Sequence, residues 1–248
     1  MSKVMLITGG SRGIGAATAL LAAGAGYDVG VNYTSNQTAA DGVVAACQAM
    51  GVQAVAVQAD VSDEVAVIAM FDQIADQLGS PNAVINNAGF LPQVDRFENY
   101  TASRMRKTLE INVFGSMLVA REAVRRMSTA NGGAGGSIVN VSSAASYLGS
   151  PTEFIDYAAS KGAIDSLTIG LAKEVATEGL RVNGVRPGLI ETEIHASAGA
   201  PDRVERLKYG VPMGRGGSAE EVAETIMWLA SDNASYVTGA LLNVAGGR

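Results

Sequence analysis

Short apolar runs recur along the chain, and longer stretches of helical character separate them. Each run is nearly continuous rather than alternating with polar residues, which is typical of strands buried on both faces of a parallel sheet. The pattern predicts strands at 3–9, 27–33, 52–60, 82–89, 136–143, 180–188 and 240–246. It predicts helices at 14–25, 38–50, 64–78, 101–111, 113–129, 155–178 and 219–230.

The alternation of strands and helices predicts an α/β fold with a doubly wound, mostly parallel, seven-stranded sheet. Right-handed crossovers place helices on both faces of such a sheet. No repeat or low-complexity linker interrupts the pattern, so we expect one domain over residues 1–248. Ligands of these sheets bind beyond the carboxyl ends of the strands, where candidate site residues should therefore lie.

Composition narrows the class of protein. The chain has 248 residues, of which 48% are hydrophobic, and a formal net charge of −6. Binding a nucleic acid requires a basic face, so we expect no nucleic-acid partner. No apolar stretch is long enough for a signal peptide or a membrane span, and we expect a cytoplasmic protein without a membrane partner. One histidine, His195, with no ligand cluster is poor evidence for a metal site, and none is expected.

The sequence TGGSRGIG at residues 8–15 follows the first predicted strand and opens the first helix. Gly9, Gly13 and Gly15 allow a tight turn and the close approach of a pyrophosphate to the helix N-terminus. The spacing differs from the usual G-x-G-x-x-G, and a glycine turn needed only for strand–helix packing is the alternative. The strand–turn–helix context favours nucleotide binding.

The end of the second strand bears on which dinucleotide binds. An NAD site often places an acidic residue there, against the ribose 2′-hydroxyl. Here Asn32, Tyr33 and Thr34 occupy the place, whereas Arg12 in the glycine turn offers a guanidinium to a 2′-phosphate. The sequence therefore predicts NADP(H) rather than NAD, with a solvated Arg12 as the alternative.

Tyr157 and Lys161 stand one helical turn apart after the strand that ends in Ser142 and Ser143. A free phenol has a pKa near 10, which is too high for efficient proton transfer at neutral pH. An ammonium nearby stabilises the phenolate, and a serine hydroxyl can hold the substrate oxygen beside it. The alternative is a buried tyrosine and a solvated lysine with no joint role.

These segments occur in a specific order. TGGSRGIG is followed by NNAG at 86–89, the serine pair at 142–143, YAASK at 157–161 and RPGLIET at 186–192. The ordered set resembles the classical short-chain dehydrogenase/reductase family from the first strand to LLNVAGG near the end. Its sugar-dehydrogenase-like and ketoacyl-carrier-protein-reductase-like members look most similar. The resemblance implies a single Rossmann-fold domain.

The resemblance also implies the roles of individual residues. The catalytic set would be Asn112, Ser143, Tyr157 and Lys161, with Ser142 as the alternative serine. Asn86 would support the central sheet. The cofactor-binding set would comprise Gly9, Ser11, Arg12, Gly13, Ile14, Gly15, Asn32, Tyr33, Thr34, Asp60, Val61, Asn87, Ala88, Gly89, Tyr157, Lys161, Pro187, Gly188, Ile190 and Thr192.

The implied reaction is hydride transfer between NADP(H) and a carbonyl or secondary alcohol, with Tyr157 as general acid and base. Lys161 would lower the tyrosine pKa and hold the nicotinamide ribose. Ser143 would orient the substrate oxygen, and Asn112 would support a water path for protons. A catalytically idle NADP(H)-binding redox sensor or scaffold protein is the alternative.

Substrate contacts are expected after the fourth and fifth strands, and in the segment after RPG. Candidates are Phe90, Leu91, Tyr147, Glu153, Phe154 and the stretch 193–213, which contains His195. That stretch is either a lid over a small-molecule substrate or an ordinary surface excursion.

Two expectations concern association, one with further copies of this chain and one with a different protein. The resemblance implies a homotetramer in which the helices near 101–129 and 155–178 pack between subunits. Arg121, Arg125 and Arg126 form a basic patch on a predicted helix. It is either a docking site for an acidic carrier protein or a solvated helix face.

Overall fold

In a computed structural model, which describes residues 3–248, seven parallel strands form one sheet in the order β3-β2-β1-β4-β5-β6-β7. The predicted α/β class and doubly wound sheet are confirmed. The strand order reverses between β1 and β4, where ligands of open α/β sheets bind. The strands are β1 Lys3–Ile7, β2 Tyr27–Tyr33, β3 Ala54–Gln58, β4 Ala83–Asn86, β5 Gly136–Val141, β6 Leu180–Pro187 and β7 Leu241–Val244.

Helices cover both faces of the sheet. They are α1 Gly13–Gly24, α2 Gln37–Ala49, α3 Glu64–Leu78, α4 Ala102–Leu109, α5 Ser116–Met127, α6 Ala145–Leu148, α7 Ile155–Val175, α8 Ile194–Ser197, α9 Arg203–Leu207 and α10 Ala219–Ala230. Helices α1, α2 and α10 supply one hydrophobic core, and α3, α5 and α7 supply the other. Strand β1 contributes side chains to both cores: Met5 and Ile7 pack in the first, and Val4 and Leu6 pack in the second. The strand is therefore apolar at successive positions.

Clear capping signals set the helix bounds that the sequence predicts well. The Asp63 carboxylate accepts hydrogen bonds from the N–H groups of Val65 and Ala66 and starts α3. Ser218 and Glu221 form a reciprocal capping box at the start of α10. Such caps satisfy backbone donors that the first helical turn leaves free.

The predicted break between helices at 101–111 and 113–129 is wrong. A π-helical segment, Glu110–Gly115, joins α4 to α5 and keeps the chain helical throughout. Gly115 at its end packs against Val61, where an added Cβ would lie 2.8 Å from Val61 Cγ2. Gly115 therefore serves a close packing contact inside a continuous helix.

The described residues contain neither a membrane-spanning helix nor a cluster of metal-binding side chains. Within residues 3–248, no helix has both the length and the apolar character that crossing a bilayer requires. The same range contains no group of three or more histidine, cysteine, aspartate or glutamate side chains placed to hold a metal ion.

Candidate active site

A cavity of about 1070 Å³ lies at the carboxyl ends of the central strands. It extends from the glycine turn after β1, past the ends of β4 and β5, to the short helices α8 and α9. The residues predicted for cofactor binding that line it are Gly9, Ser11, Arg12, Gly13, Ile14, Tyr33, Thr34, Asp60, Val61, Asn87, Ala88, Gly89, Tyr157, Lys161, Pro187, Gly188, Ile190 and Thr192.

The glycine turn has the geometry of an anion cradle. Gly9 and Gly13 have φ angles of +61° and +53°, in the left-handed region that favours glycine. No side chain caps the start of α1, and its first turn contains no acidic residue. The first N–H groups of the helix, which lack intrahelical acceptors, therefore remain available beside the cavity.

Asn32 and Gly15 were predicted to contact the cofactor, but neither lines the cavity. Both stabilise the glycine turn on its other side. Asn32 is buried; its Oδ1 accepts from Gly9 N at 3.1 Å and its Nδ2 donates to Ala59 O at 3.0 Å. An added Cβ on Gly15 would lie 2.3 Å from Gly9 O, so this glycine permits close packing within the turn. Both residues therefore shape the turn on the side away from the cavity.

Residues that follow the carboxyl end of β4 stabilise the same turn through hydrogen bonds. Asn87 donates from Nδ2 to Thr8 O at 2.9 Å, and the Thr8 hydroxyl accepts from the N–H groups of Asn87 and Ala88. Asn86 is buried and donates to Ser116 O at 2.9 Å, which ties β4 to α5. These bonds fix the floor of the cavity between β1 and β4.

The far end of the cofactor side is polar and has little negative charge. Tyr33, Thr34, Ser35 and Asn36 line it after β2, and none of them is acidic. Arg12 is exposed at the cavity edge and makes no ion pair within residues 3–248. A guanidinium without a carboxylate partner fits a phosphate group better than a ribose hydroxyl.

The β5 end and α7 bring the candidate catalytic groups together. Lys161 is buried one turn after Tyr157, and its Nζ lies 5.6 Å from the centroid of the tyrosine ring. That Nζ donates to Val141 O at 2.7 Å. Ser143 hydrogen-bonds the Tyr157 side chain, so a hydroxyl from the strand end and a phenol from the helix meet at the cavity.

The two adjacent serines have different environments. The Ser142 hydroxyl is buried and donates to Lys161 O at 3.1 Å, which joins β5 to α7. The Ser143 hydroxyl accepts from Ala145 N at 3.1 Å and faces Tyr157. The geometry therefore favours Ser143 over Ser142 as the residue beside the phenol.

Asn112 lies in the π-helical segment and is fully buried beneath the cavity rather than lining it. Its Nδ2 donates to Phe90 O at 2.9 Å and to Ser160 Oγ at 3.1 Å, and its Oδ1 accepts from Phe90 N at 2.6 Å. An added Cβ on Gly89 would lie 3.5 Å from Asn112 Oδ1 and 3.7 Å from Lys161 Nζ. Asn112 and Lys161 therefore both approach Gly89, and the Asn112 side chain ties the segment after β4 to α7.

The electrostatics around Tyr157 differ from the sequence expectation. Burial raises the pKa of Tyr157, and a hydrogen bond with Ser143 and the charge of Arg203 oppose this rise only in part. Burial lowers the pKa of Lys161 to about 8, with Asp165 acting in the opposite direction. The pKa of Tyr157 is therefore not lowered overall, because desolvation of the buried phenolate outweighs the groups that favour it.

The other end of the cavity is the candidate substrate side. Phe90, Leu91, Glu153 and Phe154 line it as expected. Tyr147 does not, because its hydroxyl donates to Arg248 O at 2.8 Å on the exposed surface.

The stretch 193–213 contributes part of the same end of the cavity. It folds into α8 and α9, and residues from both helices line the cavity, which favours the lid interpretation over a plain surface excursion. His195 is buried there; its Nε2 contacts Ile190 O at 3.1 Å, and its Nδ1 has no hydrogen-bond partner within residues 3–248.

Sequence reasoning missed several residues of this end. Lys107, Ile111 and Leu148 line the cavity from α4, the π-helical segment and α6, and Arg248 lines it from the chain end. Nothing in their local sequence marks them, because only the tertiary fold brings them to the cavity.

The basic patch on α5 is largely neutralised by acidic neighbours. Arg121 pairs with Glu64, and Arg126 pairs with Asp72 and Glu122 at 2.8 and 2.7 Å. Arg125 lies 3.6 Å from Glu122. This favours a solvated helix face over a docking site for an acidic carrier.

Comparisons with known proteins agree with this geometry. The model of a family described as enoyl-(acyl carrier protein) reductase matches residues 9–248. An uncharacterized oxidoreductase of Escherichia coli (strain K12), YgfF, is 58% identical over 99% of this chain and 99% of its own. The 3-oxoacyl-[acyl-carrier-protein] reductase FabG of Staphylococcus aureus (strain Mu50) is 34% identical over 100% of this chain and 98% of its own. The crystal structure of a short chain dehydrogenase from Burkholderia cenocepacia J2315 in complex with NADP has a TM-score of 0.90 at 31% identity, covering 99% of this chain and 97% of its own.

Proposed function

Since the chain belongs to the short-chain dehydrogenase/reductase family and is an oxidoreductase, we propose that it reduces a carbonyl compound with NADPH, or oxidises the matching secondary alcohol with NADP⁺. The observation that carries this proposal is the meeting of Tyr157 and Ser143 in one cavity with the glycine turn. One end of that cavity suits a dinucleotide, and the other holds a proton donor beside a hydroxyl that can orient a substrate oxygen.

The residues of the glycine turn fit a dinucleotide. A pyrophosphate fits against the uncapped start of α1, where Gly9 and Gly13 keep the backbone free of side chains. Arg12 supports a preference for NADP(H), because no acidic residue at the end of β2 competes for it. The relative from Burkholderia cenocepacia was solved with NADP, which favours the same choice.

Tyr157 acts as the general acid in the reductive direction. A nicotinamide held beside Tyr157 would supply the hydride for the carbonyl carbon. Tyr157 donates its phenolic proton to the carbonyl oxygen as that oxygen gains negative charge, and Ser143 donates a hydrogen bond to the same oxygen. In the oxidative direction Tyr157 takes the proton from the alcohol.

Lys161 and Asn112 support the phenol from behind. The Lys161 ammonium sits within reach of the tyrosine and is held in place by Val141 O. Its positive charge favours the phenolate once Tyr157 has given up its proton. Asn112 fixes the position of α7 through Ser160, and it shares a proton path with Lys161 along Gly89, which both side chains approach.

We further propose a homotetramer. The single chain leaves four large apolar side chains exposed on two helices. Leu109, Phe114 and Met117 lie on the continuous helix formed by α4, the π-helical segment and α5, which we call the α4–α5 helix, and Ile169 lies on α7. These are the two helices that the family resemblance places between subunits, and burying such side chains stabilises association.

A substrate screen with NADPH and NADH in parallel tests this function. We expect at least one carbonyl or alcohol series to change the 340-nm absorbance of the cofactor, with NADPH preferred over NADH by about tenfold or more. Equal or better use of NADH would contradict the role of Arg12. Tight cofactor binding without turnover of any substrate would favour an idle cofactor-binding protein.

A further inference from the structure

The substrate end of the cavity contains a compact group of charged side chains that the proposed chemistry does not use. Arg203 donates from Nε and Nη2 to one oxygen of Glu153, at 3.1 and 2.7 Å, and Arg206 donates to the other oxygen at 3.3 Å. All three residues line the cavity. We call them the Glu153–arginine cluster.

Neighbouring groups hold Arg203 in a defined position. Its guanidinium lies 5.3 Å from the centroid of the Phe154 ring, and Phe154 is buried. Glu153 and Phe154 immediately precede α7, the helix that carries Tyr157. Arg203 is therefore oriented against the same rigid element that presents the candidate acid, which is the kind of preorganisation that a binding group needs.

The cluster has more positive charge and more donors than its single carboxylate balances. Burial favours the neutral form of Glu153, but hydrogen bonds and charge from Arg203 and Arg206 outweigh it and lower the pKa of this carboxyl. Glu153 is therefore ionised and already engaged by both arginines. Each guanidinium has five N–H donors, so the three bonds to Glu153 leave most of their donors open to a ligand.

The surroundings of the cluster also favour an anion. Lys107 lines the same end of the cavity, with its Nζ 4.7 Å from the centroid of the Phe90 ring, and it makes no ion pair within the described part of the chain. Glu193 is the other carboxylate side chain that lines this end. This end of the cavity is positively charged although the whole protein has a formal net charge of −6. The local positive charge therefore does not follow from overall composition.

We propose that Arg203 and Arg206 bind a carboxylate of the substrate, so that the compounds turned over are oxo acids and the matching hydroxy acids. This inference rests on the proposed function for its reaction and adds the substrate class. Arginine forks bind carboxylates through paired N–H···O bonds, and a partly buried cavity strengthens such bonds. The two arginines lie on the lid helix α9, so binding the carboxylate also holds the lid against the cavity.

His195 adds a second polar contact for the same substrate. Its Nε2 donates to Ile190 O, which leaves Nδ1 as an acceptor in the neutral ring. Burial and the charge of Arg203 lower the pKa of His195, which keeps the ring neutral near pH 7. A substrate with a second hydroxyl, apart from the reacting oxygen at Tyr157, can donate that hydroxyl to this nitrogen, which is otherwise buried without a partner in the described residues.

The test compares straight-chain oxo acids, with the ketone at successive positions, against their methyl esters. The rate of NADPH oxidation is measured for the intact protein and for Arg206→Met, Arg203→Met and Arg203→Lys. Arg206 is half-exposed, so its replacement does not threaten folding. Arg96→Met is the matched control, because Arg96 is exposed and, among the described residues, forms its ion pair with Glu98 outside the cavity.

We expect kcat/KM to favour an oxo acid over its ester by about tenfold to a hundredfold, the range typical of hydrogen bonds to charged groups. Arg206→Met and Arg203→Met should remove most of that preference by lowering kcat/KM for the acid and not for the ester. Arg203→Lys should restore part of it, and Arg96→Met should leave it unchanged. Esters, sugars or thioesters that react as well as the acids would overturn the proposal, as would an equal loss for acid and ester in Arg206→Met.

Calorimetric titration of the NADP⁺-loaded protein with the hydroxy acids separates this inference from the proposed function. If no ketone is reduced but the hydroxy acids bind, and Arg206→Met weakens that binding, the reductase function fails and the carboxylate site stands. If ketones are reduced but neither rate nor binding depends on Arg206, the carboxylate site fails and the reductase function stands.

Discussion

Lys161 illustrates how burial changes an ionisable group in this site. Its pKa is lowered to about 8 from the ordinary lysine value of 10.5, because the ammonium is desolvated inside the protein. The unfolded chain therefore binds a proton at this position more tightly than the folded chain does. Below about pH 8 the charged, buried side chain destabilises the fold, and above 10.5 the lysine is neutral in both states.

Replacing Lys161 tests this balance by stability. We expect the free energy of unfolding of the wild type to rise relative to that of Lys161→Met as the pH increases from about 8 toward 10.5, by about 1 to 3 kcal/mol. Urea denaturation of both proteins at several pH values measures the difference between their free energies of unfolding. Other titrating groups are present in both proteins, so their contributions cancel in that difference. A difference that stays constant across this window would contradict the lowered pKa.

The serine pair offers a matched comparison at a single strand end. Ser143→Ala removes the hydroxyl beside Tyr157 and should lower kcat about a hundredfold, as the loss of one preorganised donor does. Ser142→Ala removes a bond to Lys161 O and should cost about 1 kcal/mol of stability with little change in kcat. Steady-state rates and urea denaturation of both variants separate the two roles. The opposite pattern would make Ser142 the catalytic serine.

At the scale of elements, two of the three glycines in helix α1 have opposite requirements. An added Cβ at Gly15 would meet Gly9 O at 2.3 Å, whereas nothing lies within 4 Å of the corresponding position at Gly24. Gly15→Ala should therefore destabilise the protein by about 2 kcal/mol and weaken NADPH binding. Gly24→Ala should stabilise it by about 0.5 to 1 kcal/mol through helix propensity. Thermal unfolding and fluorescence titration with NADPH check both, and equal effects of the two changes would refute the tight-turn account.

The elements that could be predicted from sequence are those whose signals are local. Strand β2 and helices α3 and α10 match the predicted bounds, because continuous apolar runs, caps and glycines mark their ends. Helices α6, α8 and α9 were not predicted, because they are only four or five residues long and have no apolar periodicity. Tertiary packing rather than local propensity supports such short helices.

The same limit applies to the site. Arg12, Tyr157 and Lys161 could be placed at the cavity because they lie in motifs at strand ends, where the fold brings ligands. Asn32 also lies at a strand end, but its side-chain amide is hydrogen-bonded to the backbone of Gly9 and Ala59 instead of facing the cavity. The pairing of Glu153 with Arg203 joins residues 50 positions apart, and no sequence spacing indicates it.

At the scale of the whole molecule, the exposed apolar surface on the α4–α5 helix predicts association. Leu109, Phe114 and Met117 are 45, 50 and 43% exposed in the single chain. Phe114→Glu combined with Met117→Glu should convert the tetramer to smaller species, because the new carboxylates cannot be buried without partners. Light scattering during size-exclusion chromatography measures the mass. Val65→Glu, on exposed α3, is the control that should leave the mass unchanged, and a monomeric wild type would contradict the expectation.

The proposed reaction depends on Tyr157 giving its proton to the substrate oxygen beside the cofactor. The most direct measurement is a single-turnover experiment on Tyr157→Phe with prebound NADPH and a substrate that the wild type reduces. We expect NADPH affinity to stay within about twofold and the rate of NADPH oxidation to fall by about 10²- to 10⁴-fold, the contribution typical of a positioned general acid. Oxidation of NADPH at the wild-type rate in this variant would contradict the assignment of Tyr157 and the mechanism built on it.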